Sequence, residues 1–446
     1  MNRKLKLILQ IFLFLCAAVG ITQAGFSYQS KKRAIASQVP DFVQMALNID
    51  KLVHKEDLKQ SIKAEKNWLD VLPNPVSRAK LKTFNQSKSW AGYTLYPISG
   101  PDEIHLLNHR AEIVHRWTNL DADRARLLPN GNIVVLHGSK NRLKVSPWKE
   151  LRNRVSEYDW DGKLVWSYTS PYVIHHDLQR FENGNTLLIL KVPVPKEYLA
   201  KISDPLRKTV ELKSDRIIEI NQKGEEVWHW NAWEHIDLNE CGVRACPGKH
   251  TEQARGKFDV DDFKDWTHLN TISVIPENKW FDEGDKRFKP GNVIVMPRNF
   301  WTIYILDRDS GKIVWEYTGD YKGGLAGGHE PSMIAKGLPG AGNIIVLDNA
   351  STEERGGASA ILEINPQTKK TVWVYDAGQE FFTRARGSVQ RLPNGNTLIS
   401  EDRRGRVFEV TPEKEVVWDY PGDILIVRAH RYAPDYSDSF LKLKLN

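Results

Sequence analysis

From Tyr93 onward one passage recurs along the chain: an Asn-Gly or Gly-Asn turn, apolar strands, then Val-Trp followed by an aromatic residue. Leu128-Pro129-Asn130-Gly131-Asn132 leads to Leu164-Val165-Trp166-Ser167-Tyr168. Asn183-Gly184-Asn185 leads to Val227-Trp228-His229-Trp230, and Pro290-Gly291-Asn292 to Ile313-Val314-Trp315-Glu316-Tyr317. Gly342-Asn343 leads to Val372-Trp373-Val374-Tyr375, and Leu392-Pro393-Asn394-Gly395-Asn396 to Val416-Val417-Trp418-Asp419-Tyr420. Asn-Gly supplies the positive φ angles of tight hairpins. Self-similar units of four short strands predict propeller blades.

A sixth blade is predicted to be composite. Residues 92–117 end in Ile113-Val114-His115-Arg116-Trp117, the same outer-strand pattern, but lack an inner strand. Val427 to Pro434 is an inner strand with no blade after it. Pairing the two is expected to close the ring and cover the sheet edges. The expected fold is therefore an all-β, six-bladed β-propeller over residues 92–446. The recurrent tryptophans are expected to pack between blades.

The residues ahead of the propeller differ. Arg3-Lys4-Leu5-Lys6 is a positive start, Ile11 to Ile21 is an unbroken apolar run, and Thr22-Gln23-Ala24 precedes Gly25. This is the form of an export signal. Residues 1–24 are expected to be a signal peptide or a retained membrane anchor, with residues 5–24 as the tether. Lys31-Lys32-Arg33 would be unusual on the translocated side of an anchor. The chain is then exported, to the periplasm or to the outer face of the cytoplasmic membrane. Residues 25–91 are expected to be a short helical stalk or linker, ended by Pro73 and Pro75.

Charge bears on partners. The chain carries +7, but six of its 63 basic residues lie in residues 1–33, leaving 57 against 56 acidic. The folded body is nearly neutral, so no nucleic-acid partner is expected. Cys241 and Cys246 lie five apart in a polar stretch. A local disulfide is expected in an oxidising compartment, and their spacing fits no standard zinc pattern, although His235 and His250 lie near in sequence.

In a propeller the first strand of each blade lines the axis. At that phase stand His175-His176-Asp177, Trp266-Thr267-His268-Leu269-Asn270, Gly327-Gly328-His329-Glu330 and Arg384-Ala385-Arg386-Gly387-Ser388. The composite blade brings Arg428, His430 and Arg431, and the first blade Asp123, Arg124 and Arg126. Only 13 of 446 residues are histidine, so this phase is enriched. Alternation along a strand predicts that His268 and Asn270 face the same way. Arg298, after the second strand of the third blade, is placed to reach the same mouth. Arginine among histidines repels cations and favours an anionic group with several oxygens. Neither a metal nor a cofactor is expected, and no P-loop is present to deliver a nucleotide.

His-His-Asp before a Gly-Asn turn, Trp-Thr-His-x-Asn, a following arginine, Gly-Gly-His and Leu-Asp-Asn together resemble the bacterial aryl-sulfate sulfotransferases over residues 95–435. The resemblance implies a six-bladed propeller that moves a sulfuryl group from an aryl sulfate to a phenol. It implies a ping-pong route through a sulfated histidine, with no nucleotide donor. It implies that His329 is the nucleophile, that His268 and Arg298 hold the sulfuryl oxygens, and that His176 acts on the phenolic oxygen. Asn270, His430, Arg386 and Ser388 are the expected substrate contacts. Glu330 stands where aspartate is the expected residue. Two other readings compete: a propeller that binds an oxyanion or aryl ligand without turnover, and a quinone-dependent dehydrogenase, whose blade motif Leu306 to Trp315 resembles.

Overall fold

A computed structural model describes residues 80–98, 102–138, 153–244, 246, 264–350, 358–422, 426–443 and 445. The export signal and most of the expected stalk lie outside these residues. Among the described residues no helix is long and apolar enough to cross a membrane.

Six antiparallel sheets follow one another in chain order. The first blade runs from Ala122–Leu127 at the axis to Leu164–Thr169 at the rim, and the second from Val173–Arg180 to Glu226–Asn231. Leu269–Val274 opens the third, His329–Met333 the fourth and Ser388–Arg391 the fifth. The composite blade closes as its sequence requires. His430–Tyr432 pairs with Tyr93–Ile98, matching Tyr93 to Tyr432 and Leu95 to His430. Closure gives the composite blade the inner strand it lacks, while each blade keeps its own short inner and outer edges.

The tryptophans hold the ring together by a repeated bond. Each outer-strand indole donates to a turn carbonyl of the next blade: Trp117 to Asp159, Trp166 to Gln222, Trp228 to Arg308, Trp315 to Pro366, Trp373 to Pro412 and Trp418 to His109, all within 2.7–3.0 Å. The six bonds form a closed circuit around the propeller. Each ring packs its apolar body between sheets while its one polar atom stays satisfied.

The closing strand is fastened by charge as well. The Arg431 guanidinium, fully buried, donates to Glu409, to Thr94 Oγ1 and to the Trp90 carbonyl, and lies 4.4 Å from the Trp418 ring centre. Trp90 and the short strand Thr83–Phe84 fall in the stretch expected as stalk. Thr83–Phe84 nevertheless pairs with Val416–Tyr420 and adds a fifth strand to the rim of the fifth blade. Propeller contacts thus begin ahead of residue 92.

Candidate active site

The innermost strands do not run regularly into the mouth. Their ladders shift register between Ala122 and Arg124, between Leu269 and Ile272, and between His329 and Ser332, while the second blade's shifts opposite its histidines, between Leu188 and Leu190. At the same level His176, His268, Glu330, Arg386 and Arg428 adopt left-handed backbone, with φ between 46° and 66°. Such backbone costs a non-glycine residue roughly 1–3 kcal/mol and gathers at functional sites. Its effect here is to turn side chains out of strand alternation and toward the axis.

His329 stands at the centre. Its Nδ1 lies 2.5 Å from Asn349 Oδ1, and the Asn349 amide nitrogen donates to the carbonyls of Thr383 and Arg386. Those two donations orient the amide, so Oδ1 must accept from His329. The proton of the neutral ring is therefore on Nδ1, and the lone pair is on Nε2. Nε2 accepts a 3.3 Å bond from the Arg386 backbone N–H. Burial, then Arg428, with further contributions from Arg298 and His268, hold this imidazole well below the usual histidine range.

Two further histidines close on the same space. The His176 and His268 rings are 4.8 Å apart, edge to face. His268 Nδ1 is 2.6 Å from Asp265 Oδ2. Burial pushes His268 down to about 4, while Asp265 pulls it upward and Arg298 downward. Arg298 opens a short 3-10 turn, Arg298–Phe300, directly after the strand Val293–Pro297, and its N–H donates to the His268 carbonyl. That turn is braced from outside. Cys241 and Cys246 form a disulfide, and within the loop it closes the Val243 N–H donates to the Phe300 carbonyl and Arg244 to the Asn299 carbonyl.

The structure brings His329, His268, His176, Arg298 and Arg386 to one mouth. Asp123, His176, Arg386, Val427 and Arg428 line a niche there of about 10 Å³. Asn270 is placed differently. His268 precedes the strand Leu269–Val274 and has left-handed backbone, so alternation does not tie its direction to Asn270. Asn270 is fully buried, donating to the Gly328 carbonyl and accepting from Thr271 Oγ1. It braces the residue before His329. Ser388 is also buried, with its hydroxyl on the Ala429 carbonyl.

His430 does not join the other histidines. It lines a second cavity of about 1220 Å³, with Arg126, Asp177, Glu330 and Tyr432. Between the niche and this cavity lies a buried ion cluster. Glu330 pairs with Arg124 and, at 3.3 Å, with Arg428, while Asp177 Oδ1 lies 3.1 Å from Arg124 Nε. The left-handed turn at Glu330 explains how adjacent residues serve opposite ends, His329 the mouth and Glu330 the cluster. Burial pushes His430 down to about 3, helped by Arg126 and Arg124.

Asp265, Asp215 and Lys191 were not among the residues singled out from sequence, and Asn349 entered only as the end of the Leu-Asp-Asn motif. Asn349 carried a readable signal, because Leu347-Asp348-Asn349 ends the second strand of its blade, as Met296-Pro297-Arg298 does one blade earlier. Lys191 is a charge set in an otherwise apolar strand, whereas Asp215 lies in a strand with Lys213, Arg216 and Glu219 and so did not stand out. Among the described residues no group of three or more His, Cys, Asp or Glu side chains is arranged to hold a metal ion.

The chain is thus a six-bladed propeller whose mouth sets a neutral, lone-pair-bearing imidazole among arginines. A family model described as Arylsulfotransferase (ASST) matches residues 154–423, more than half of the chain, and the chain belongs to that family. Among solved structures it is similar to a protein of unknown function from Bacteroides caccae, at 14% identity and TM-score 0.45, covering 77% of this chain and 99% of that one. It is similar to a streptogramin B lyase at 12% identity and TM-score 0.40, covering 78% and 84%. It is similar to virginiamycin B lyase from Staphylococcus aureus at 11% identity and TM-score 0.38, covering 76% and 87%. No curated protein matches the chain.

Proposed function

We propose that this chain transfers a sulfuryl group from an aryl sulfate ester to a phenolic acceptor through a sulfated His329, using neither nucleotide nor cofactor. The observation that carries this reading is the His329–Asn349 pair, which leaves Nε2 as the nucleophilic atom of a neutral ring. In the first half-reaction Nε2 attacks sulfur, the sulfur–oxygen bond to the aryl group breaks, and its electron pair leaves on the phenolic oxygen. Arg298 holds the sulfuryl oxygens, joined by His268 when the bound anion draws a proton onto its Nε2; His176, carrying a proton on Nε2 when the donor binds, gives it to the leaving oxygen. In the second half His176 takes the acceptor's proton, the phenolate oxygen attacks sulfur, and the electron pair of the sulfur–nitrogen bond returns to His329. Because Asn349 is a neutral acceptor, the Nδ1 proton stays on the ring. The group displaced from sulfur is then neutral imidazole, a good leaving group.

The chain is proposed to work outside the cytoplasm, sent there by residues 1–24. Cys241–Cys246 fits an oxidising compartment. Aryl sulfates and phenols are its proposed partners. The direct test is mass spectrometry after brief exposure to 4-nitrophenyl sulfate. One sulfuryl adduct on the peptide bearing His329 is expected, discharged when phenol is added. An unmodified peptide with unchanged donor overturns the reading. Colour released without any acceptor would indicate a sulfatase instead.

A pH profile follows from the same site. Neutral imidazole is the attacking form, and His329 resists protonation. Single-turnover release of 4-nitrophenol, which leaves unaided, is therefore expected to stay level as pH falls from about 8 through 6.5, the ordinary histidine midpoint. A decline centred at or above that midpoint contradicts it.

A further inference from the structure

We propose that His175 and Asp215 are positioning residues that dictate which nitrogen of His176 carries its proton, and so make His176 the proton-transfer group. The inference rests on the reaction proposed above. His175 Nε2 lies 3.0 Å from Asp215 Oδ1, and His175 Nδ1 lies 2.6 Å from His176 Nδ1. Asp215 is fully buried, and its other oxygen accepts from Thr267 Oγ1 and from the Leu269 N–H, each at 2.6 Å. Lys191 Nζ lies 2.7 Å from the same Oδ1 and also pairs with Asp265, the partner of His268.

The tautomers follow from this chain of contacts. The contact at 3.0 Å is too bent for a regular hydrogen bond, but the negative carboxylate oxygen still repels a lone pair and attracts an N–H there, so His175 Nε2 carries the hydrogen. A neutral His175 then has its lone pair on Nδ1. Two facing lone pairs at 2.6 Å would again repel, so His176 Nδ1 carries its hydrogen and donates it. The lone pair of His176 is left on Nε2, the atom that takes a proton from an acceptor and returns one to a leaving oxygen. When Nε2 is protonated, the Nδ1–H bond to His175 remains, and Asp215 keeps that acceptor basic. The arrangement extends the carboxylate–imidazole pair of hydrolases by one ring.

Lys191 gives the relay a second consequence. Bridging Asp215 and Asp265, it fixes the carboxylates behind both His176 and His268 as one buried unit. Burial works to raise both carboxyls, but Lys191 and the histidines outweigh it and hold them below the usual carboxylate range. Both are therefore charged at neutral pH, and each favours the tautomer that turns a ring N–H toward it, on His175 and on His268.

The test compares two donors. Phenolate needs a proton as it leaves, whereas 4-nitrophenolate does not. His175→Leu removes the link, and the loss of rate on phenyl sulfate is expected to exceed the loss on 4-nitrophenyl sulfate by about 30-fold or more. His175→Gln, whose amide both accepts and donates, is expected to restore most of that ratio. Asp215→Asn, which conserves volume, shifts the ratio in the same direction as His175→Leu. Equal losses on the two donors in both His175→Leu and Asp215→Asn overturn the role of His175. Failure of the unmodified chain to transfer from either donor overturns the reaction itself.

Discussion

His329→Asn removes sulfuryl transfer, by about 10⁴-fold or more in kcat/KM, and leaves the propeller folded. Asparagine reproduces the half of the imidazole that contacts Asn349. Its amide nitrogen sits near the position of Nδ1 and can donate to the same Oδ1, 2.5 Å away in the parent. What it lacks is the second nitrogen, now bonded by the Arg386 N–H. The variant thus separates nucleophile from scaffold. Steady-state transfer from 4-nitrophenyl sulfate to phenol measures the first, and a thermal unfolding curve the second. Retained activity rejects His329 as the sulfated residue. Loss of activity with a collapsed melting curve is resolved by His329→Gln, which keeps a polar side chain in the site and again lacks an imidazole. If His329→Gln folds and still transfers, the assignment fails.

The largest effect on stability is expected at the next residue. Glu330→Ala destabilises the chain by about 3–5 kcal/mol, because it strips the partner from a buried charge. Arg124 is fully buried and would keep only Asp177, while Arg428 would keep Asp177 at 3.9 Å. Burial works to raise the Glu330 carboxyl, but Arg124, Arg428 and Arg126 hold it well below the usual range. With its folded pKa depressed, the contribution of Glu330 is complete above its unfolded value of about 4.3 and disappears as pH falls toward the folded value. Urea unfolding at neutral pH measures the cost, and Glu330→Gln, which keeps shape without charge, should fall between parent and alanine. A midpoint within error of the parent for Glu330→Ala means that the cluster carries no net stabilisation.

This cluster also separates what was legible from what was not. The blade repeat was readable because hairpin turns demand Asn-Gly and because each rim needs a tryptophan to bridge to its neighbour. The composite blade was readable because Ile113 to Trp117 had a rim without an axis strand and His430–Tyr432 an axis strand without a rim. His176, His268 and His329 stood out by recurring at one phase of that repeat. His430 shares the phase approximately and lies on the far side of the Glu330 cluster. Spacing along a strand cannot report such a difference once left-handed residues interrupt it. None of those five residues is glycine, so no local signal announced the turns.

Local chemistry, repeated six times, therefore determined the architecture: turn residues, strand patterns and rim tryptophans act over a few positions and are written in the sequence. It also determined that histidine and arginine gather at one end of the axis. Only the tertiary structure decided which histidine bears its lone pair where. That depends on Asn349 for His329 and on Asp215 for His176, partners 20 residues or more away in sequence and outside the strand each serves. A ring's tautomer is set by the hydrogen bond its other nitrogen makes, and such bonds exist only once the blades have closed around the axis.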